Sequence, residues 1–449
     1  MREFILNVRK YIVQKGGIHL MFKDNQVKKI ASANGITLFW IQTQKFKTNS
    51  INIFFHDNLT NENASKNALI PAVLRRGCTK YPSIRDISLY IEELYGTSFD
   101  CGVTKKGENQ IIQFYIECIS DKYINEDIDL TKKAFDFLME IITEPVKENG
   151  CFKNEYVIQE IDKMKELIKG RVNDKMHYAI DRCLEEMCIN EPFGIYDYGS
   201  LENLKSINNK DLYEHYLKFI KTLPMYVFVS GDLKPEQIDY IKENLFKIKR
   251  DVEIDIKEAE IEVAVDKVKN VIETFDVNQG KLSLGFRTNT YPNDEEYYKL
   301  ILYNSILGGG VQSKLFQNVR EKEGLAYYVF SRLEKFKGLM VISSGIEIAN
   351  KDKTIKIINE QLEEIVKGNI TEYEYEAAQK SIETGIKSIK DSQLQLVDFY
   401  LSQFIAKSDD SPDMVIEKVK NVSIKDVADI ASKIELDTIY FITNKEQVN

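Results

Sequence analysis

The sequence predicts an α+β protein of two homologous domains, each a mainly antiparallel β-sheet with helices packed on one face. Three observations predict it. An apolar helix, a second helix and a strand follow one another in the first half of the chain and again in the second. Glycines stop the helices at matching places, Gly96 and Gly324 lying 228 residues apart in a chain of 449. Each half also closes alike, Leu204-Lys-Ser-Ile-Asn-Asn-Lys-Asp-Leu212 resembling Val419-Lys-Asn-Val-Ser-Ile-Lys-Asp-Val427.

The elements follow in order. Ile36 to Ile41 alternates as a strand that opens the first half, and Ala64 to Leu74 is an apolar helix ending at Gly77. A second helix runs from Ile84 to Tyr95, stopped by Gly96, and a strand follows from Asn109 to Cys118. Val157, Ile161, Met164 and Ile168 keep the helical period, and a strand from Met225 to Ser230 ends the half. In the second half a strand from Lys281 to Arg287 precedes a helix from Glu295 to Leu307. Asn293 with Glu296 is a capping pattern for that helix, and Leu300, Tyr303, Asn304 and Leu307 form its stripe. A helix from Gln312 to Glu323 stops at Gly324, and strands run from Gly338 to Glu347 and from Ile439 to Thr443. The charged stretch from Arg250 to Lys269 reads as the hinge, giving domains at 1–250 and 271–449 with a linker at 251–270.

Composition narrows the function classes. The chain is 43% apolar, 29% charged and 11% aromatic, which suits a globular protein rather than a disordered one. A net charge of -9 argues against a nucleic-acid footprint, which would need a concentrated basic face. Charges interrupt the apolar residues of Met1 to Lys10, so no signal-peptide core forms there, and no apolar run reaches the roughly 18 residues that span a bilayer. A cytoplasmic location, with neither membrane nor nucleic-acid partner, is the expectation. Cys78, Cys101, Cys118, Cys151, Cys183 and Cys188 lack Cys-x-x-Cys spacing and read as reduced, buried thiols.

The run from Ile306 to Tyr327, Ile-Leu-Gly-Gly-Gly-Val-Gln-Ser-Lys-Leu-Phe-Gln-Asn-Val-Arg-Glu-Lys-Glu-Gly-Leu-Ala-Tyr, carries Arg320 and Tyr327 beside three glycines. A guanidinium and a phenol are donors suited to a substrate carbonyl; equally, Arg320 reads as a helix-end arginine and Tyr327 as a strand tyrosine of the core. Gly308, Gly309 and Gly310 read either as a helix stop, for which one glycine suffices, or as a point of close backbone approach. His19, His56, His177 and His215 show no pair four apart, the spacing that offers two nitrogens to one metal on a helix face.

This run resembles the C-terminal signature of the insulinase/pitrilysin family of zinc peptidases, in the subfamily similar to mitochondrial processing peptidase. The resemblance extends from Asn34-Gly35 to about Thr443, and Leu74-Arg-Arg-Gly77-Cys-Thr-Lys-Tyr-Pro82 is similar to the stretch that follows that family's His-x-x-Glu-His. Counting back from Gly77 sets the ligand positions at Ala68 and Ala72 and the general base at Pro71. Methyl groups cannot ligate zinc, and proline cannot accept a proton. Glu160, in Val157-Ile-Gln-Glu-Ile161, matches the family's third ligand; read from the residues alone it is a partly solvated helix glutamate. The resemblance implies that Arg320 and Tyr327, with Gly308, Gly309 and Gly310, handle an extended peptide. It further implies no zinc in this chain and an intact-motif partner that carries zinc in a heterodimer. The expectation is a non-catalytic, peptide-binding subunit, inactive alone, that contributes to the partner's metalloendopeptidase activity in proteolysis or peptide processing. The alternatives are a stand-alone peptide-binding or scaffold protein and an enzyme with an unusual metal site.

Overall fold

The computed structural model describes residues 26–251 and 254–445; His19 and the charged N-terminal stretch lie outside the described residues. The first half forms a six-stranded sheet from β1 (Val27–Ala33), β2 (Ile36–Gln42), β3 (Thr48–Asn58), β4 (Ser98–Lys106), β5 (Asn109–Ile119) and β8 (Met225–Gly231). Its spatial order is β1-β2-β8-β3-β5-β4, while β6 (Lys147–Glu148) and β7 (Cys151–Phe152) pair separately. The second half forms a five-stranded sheet from β9 (Lys269–Thr274), β10 (Gly280–Arg287), β11 (Ala326–Glu334), β12 (Leu339–Ile346) and β13 (Glu435–Thr443), ordered β9-β13-β10-β12-β11.

The duplication is visible in the pairing. One neighbouring pair in each main sheet runs parallel, β2 with β8 and β9 with β13, and the other pairs are antiparallel. Hence β2 matches β9, β8 matches β13, β3 matches β10, β5 matches β12 and β4 matches β11. The strands expected to open the two halves, Ile36 to Ile41 and Lys281 to Arg287, are therefore not counterparts. Each is preceded by another strand, β1 or β9, rich in polar residues and exposed along much of its length, which weakens its pattern in the sequence.

Ala64–Leu74, Leu130–Thr143 and Asn209–Thr222 are among the helices that pack their apolar faces on one side of the first sheet, around Ile51, Ile53, Phe55, Ile112 and Phe114. Tyr297–Gly308, Lys351–Val366 and Ile424–Ala431 do the same in the second half. The opposite faces are closed by exchange. Helix Lys175–Met187 of the first half packs its Ala179, Ile180, Cys183 and Leu184 on the second sheet, against Leu339, Val341, Tyr440 and Ile442. Helix Gln393–Ile405 of the second half packs Leu396, Val397, Tyr400 and Leu401 on Phe39, Phe54 and Phe228 of the first. Each exchanged helix shields an apolar sheet face that would otherwise meet water.

The equivalent hairpins β4–β5 and β11–β12 meet at their tips. Gly107, at φ +61°, lies so close that a Cβ there would sit 2.4 Å from Phe336 O. Beside this contact the fully buried Lys337 ammonium pairs with Glu108 at 2.6 Å and Glu191 at 2.7 Å. Arg287, also buried, pairs with Glu191 at 2.6 Å and Asp437 at 2.9 Å. Residues 254–265 carry no helix or strand and are strapped to the end of β3, Asn58 Nδ2 donating to Asp255 O at 2.9 Å and Lys257 N donating to Asn58 Oδ1 at 2.8 Å. Among the described residues no helix is long and apolar enough to cross a membrane. All six cysteines are unpaired.

Candidate functional site

Helix Ala64–Leu74 is enclosed on nearly every side, Ala68 and Pro71 being buried and Ala72 half-buried. Lacking an N–H, Pro71 cannot make the helical bond to Asn67 O. Side chains fix the helix instead: Asn67 Nδ2 donates to Asp57 Oδ2 at 2.9 Å and to Gln110 Oε1 at 3.0 Å, and its Oδ1 accepts from His215 Nε2 at 2.7 Å.

Against this helix packs Asn154–Gly170, whose spacing turns Glu160 inward. Glu160 is 6% exposed, so it is not the partly solvated glutamate that the residues alone allowed. Arg76 Nη1 donates to its Oε1 at 3.1 Å and Lys163 Nζ to the same oxygen at 2.6 Å. The Arg76 guanidinium also stacks 4.8 Å from the Tyr156 ring centroid. On the sheet side, Cys101 Sγ donates to Pro71 O at 3.2 Å, and burial pushes its thiol up to about 12. A tetrahedral zinc needs three or four deprotonated donors. Here the positions that the resemblance matches to ligands, Ala68 and Ala72, carry methyl groups, the Glu160 carboxylate is held by two cations, and the nearby thiol is protonated. These residues do not fit zinc.

The histidines are apart. His56, buried in β3, has Nδ1 3.4 Å from the Tyr226 hydroxyl, and burial with help from the Lys106 charge lowers its pKa to about 3. His215 is lowered by burial to about 4 and bonds Asn67, while His177 is exposed and pairs with Asp174 at 2.7 Å. Among the described residues no three His, Cys, Asp or Glu side chains come together as a metal-holding group.

The second-half residues are held differently. Helix Tyr297–Gly308 starts without a side-chain cap from Asn293; Asp294 Oδ2 accepts from Tyr291 N in the preceding turn instead. At its end Gly308 lies against β11, where a Cβ would come within 2.4 Å of Ser331 N, and Gly309 is as tight against Ser305. Close approach thus accounts for these two glycines. The next helix, expected from Gln312 to Glu323, is wound as a π-helix over Phe316–Lys322. Arg320 sits in it with its side chain 42% exposed, its guanidinium 4.7 Å from the Phe316 ring centroid and its Nε 3.7 Å from Glu321 Oε1.

Tyr327 lies in β11, the edge strand of its sheet, where the pairing with β12 skips from Ala326 to Tyr328. The skipped residue is Tyr327, and it is 61% exposed. Among the described residues its hydroxyl makes no hydrogen bond. Tyr327 is thus not the core tyrosine that the plain structural reading allowed, whereas Arg320 does stand in the last turn of its helix, as that reading had it. No hydrogen bond joins them to each other or to the Arg76–Glu160 pair.

Sequence reasoning passed over Arg76. It stands just past the helix end, and the sequence holds no signal of its partner.

Comparison with known proteins agrees with this geometry. The family profile described as "Peptidase M16 inactive domain" matches residues 206–382, the span that holds Arg320 and Tyr327. The "Probable inactive metalloprotease YmfF" of Bacillus subtilis is 34% identical over 414 residues, covering 92% of this chain and 96% of that protein. A conserved protein from Enterococcus faecalis V583 superposes with a TM-score of 0.87 at 27% identity, over 94% of this chain and 100% of its own. An M16 inactive-domain structure from Pseudomonas fluorescens superposes with a TM-score of 0.76 at 16% identity, over 93% of this chain and 98% of its own. The chain, whose sequence carries no His-x-x-Glu-His, belongs to the M16, insulinase-type, peptidase family as an inactive homologue.

Proposed function

We propose that the chain is the non-catalytic, peptide-binding subunit of a heterodimeric zinc peptidase, paired with a relative that keeps His-x-x-Glu-His and carries the zinc. The observation that carries this reading is the presentation of Tyr327. A β-bulge turns it outward from an edge strand, and the nearby Arg320 sits in a π-helix. Both backbone irregularities are costly to regular hydrogen bonding and recur at functional sites. Edge strands β4 and β11 also leave backbone groups to which an extended peptide can add. Arg320 and Tyr327 would donate to a peptide carbonyl, orienting the chain for the partner's zinc. A purely structural relic has no need of such exposed donors. The unpaired cysteines support a reducing, cytoplasmic setting.

The test is reconstitution with an intact-motif relative. The mixture is expected to cleave unstructured peptides faster than the relative alone, and Arg320→Ala or Tyr327→Phe to lower turnover by on the order of 100-fold while the complex stays assembled. Unchanged turnover of a verified complex in both variants makes the chain a scaffold instead.

A further inference from the structure

The degenerate site holds an arginine where chemistry calls for a cation. Past the helix end, Arg75 keeps αR dihedrals and Arg76 N donates to Val73 O in a tightened turn, from which the Arg76 side chain reaches Glu160. A buried carboxylate without a counter-charge is strongly disfavoured. Of its two cations, Lys163 has a side chain 60% exposed and is screened by solvent, whereas that of Arg76 is 16% exposed. Arg76 therefore supplies most of the compensation. It is held in place by the Tyr156 ring and by Gln159 Oε1, which accepts from its Nη2.

We propose that the Arg76 guanidinium has taken the place of a metal cation as the counter-ion of Glu160. The former metal site is thereby a self-contained Arg–Glu lock between helices Ala64–Leu74 and Asn154–Gly170, and it excludes metal even where the missing ligands are supplied. Two causes act together. The lock occupies the only carboxylate on the facing helix that points into the site, and its positive charge repels a divalent ion. The inference does not rest on peptide binding and is read without a partner subunit.

Two measurements test it. In the first, Ala68→His/Pro71→Glu/Ala72→His is prepared with Arg76 intact and again with Arg76→Leu, and metal content is measured after dialysis against zinc. The expected result is no stoichiometric zinc in the former and about one per chain in the latter. Equal zinc in both, or zinc in neither, overturns the proposal. In the second, which needs no designed metal site to fold, Arg76→Leu, Glu160→Gln and the double variant of the natural chain are unfolded in urea. Each single change is expected to lower the folding equilibrium constant by on the order of 100-fold, and the double to lose far less than the product of the two. Losses that simply multiply overturn the lock.

Discussion

Replacing Glu191 by glutamine tests how the two halves are fastened. Glu191 binds Arg287 through both oxygens, at 2.6 and 3.1 Å, and Lys337 at 2.7 Å, while the Arg287 and Lys337 side chains are 2% and 0% exposed. Burial works against the charged carboxylate, yet the two cations outweigh it and hold its pKa below the usual value. The substitution keeps the shape and removes the charge. Arg287 retains Asp437 and Lys337 retains Glu108, so the loss falls toward the lower end for a broken buried pair, about 3 kcal/mol. That is roughly a 150-fold change in the opening equilibrium at 1.4 kcal/mol per factor of ten. Urea denaturation reports the whole, and hydrogen exchange at the hairpin tips around Gly107 and Gly338 reports the junction. The control is Glu202→Gln, which breaks a pair with Lys205 whose side chains are 80% and 65% exposed. Such a pair contributes at most about 1 kcal/mol. Equal, small effects of the two substitutions would refute the view that this junction is fastened by buried charge. Because Glu191 has a depressed pKa, its stabilisation is present above the unfolded value of 4.5 and lost as pH falls through the lower folded value.

Two further outcomes are expected. His215 has a folded pKa of about 4 against 6.5, so the unfolded chain takes up its proton first. Stability should fall by about 3 kcal/mol as pH drops from 6.5 toward 4, and His215→Gln should flatten that slope in denaturation measured across the range. Gly308→Ala puts a methyl against Ser331 N in β11, and should cost about 1 to 3 kcal/mol in thermal unfolding while lowering the turnover of a reconstituted complex by shifting the strand that carries Tyr327.

Much of the architecture was legible because each element states its own period. The helix Ala64–Leu74 and the strands around Asn109 and Leu339 occupy almost the expected residues, since their apolar spacing and stop glycines are local signals. The exchange of helices Lys175–Met187 and Gln393–Ile405 was not legible. A helix shows that it has an apolar face, but its sequence does not say which sheet receives it. Likewise β1 and β9 give weak alternation because edge strands need only partial burial. At the stretch that the resemblance matches to the zinc motif, the sequence singled out Glu160, but not its partner. Arg76 follows the helix end and resembles any solvated arginine until the facing helix is in place.

The duplication itself supplies the control for Arg320 and Tyr327. With the offset of 228 that relates Gly96 to Gly324, the first-half positions are Glu92 and Phe99. Glu92 lies in a regular α-helix, Ile84–Glu93, whereas Arg320 lies in a π-helix. Phe99 lies on β4, the counterpart of β11, yet β4 pairs with β5 in unbroken register and Phe99 packs edge-on against Phe137 at 5.4 Å. One topology has thus been built twice, once with an aromatic turned into the core and once with a bulge that turns it out. The fold does not require the bulge or the π-helix, since the first half does without either. Their presence together, where an arginine and a tyrosine stand in place of a glutamate and a phenylalanine, supports the proposal that these two side chains meet a peptide. If the pair were merely structural, deleting one residue of the bulge to restore regular β11–β12 pairing would stabilise the chain and leave a reconstituted complex fully active. Loss of turnover with equal or greater stability is the outcome expected here.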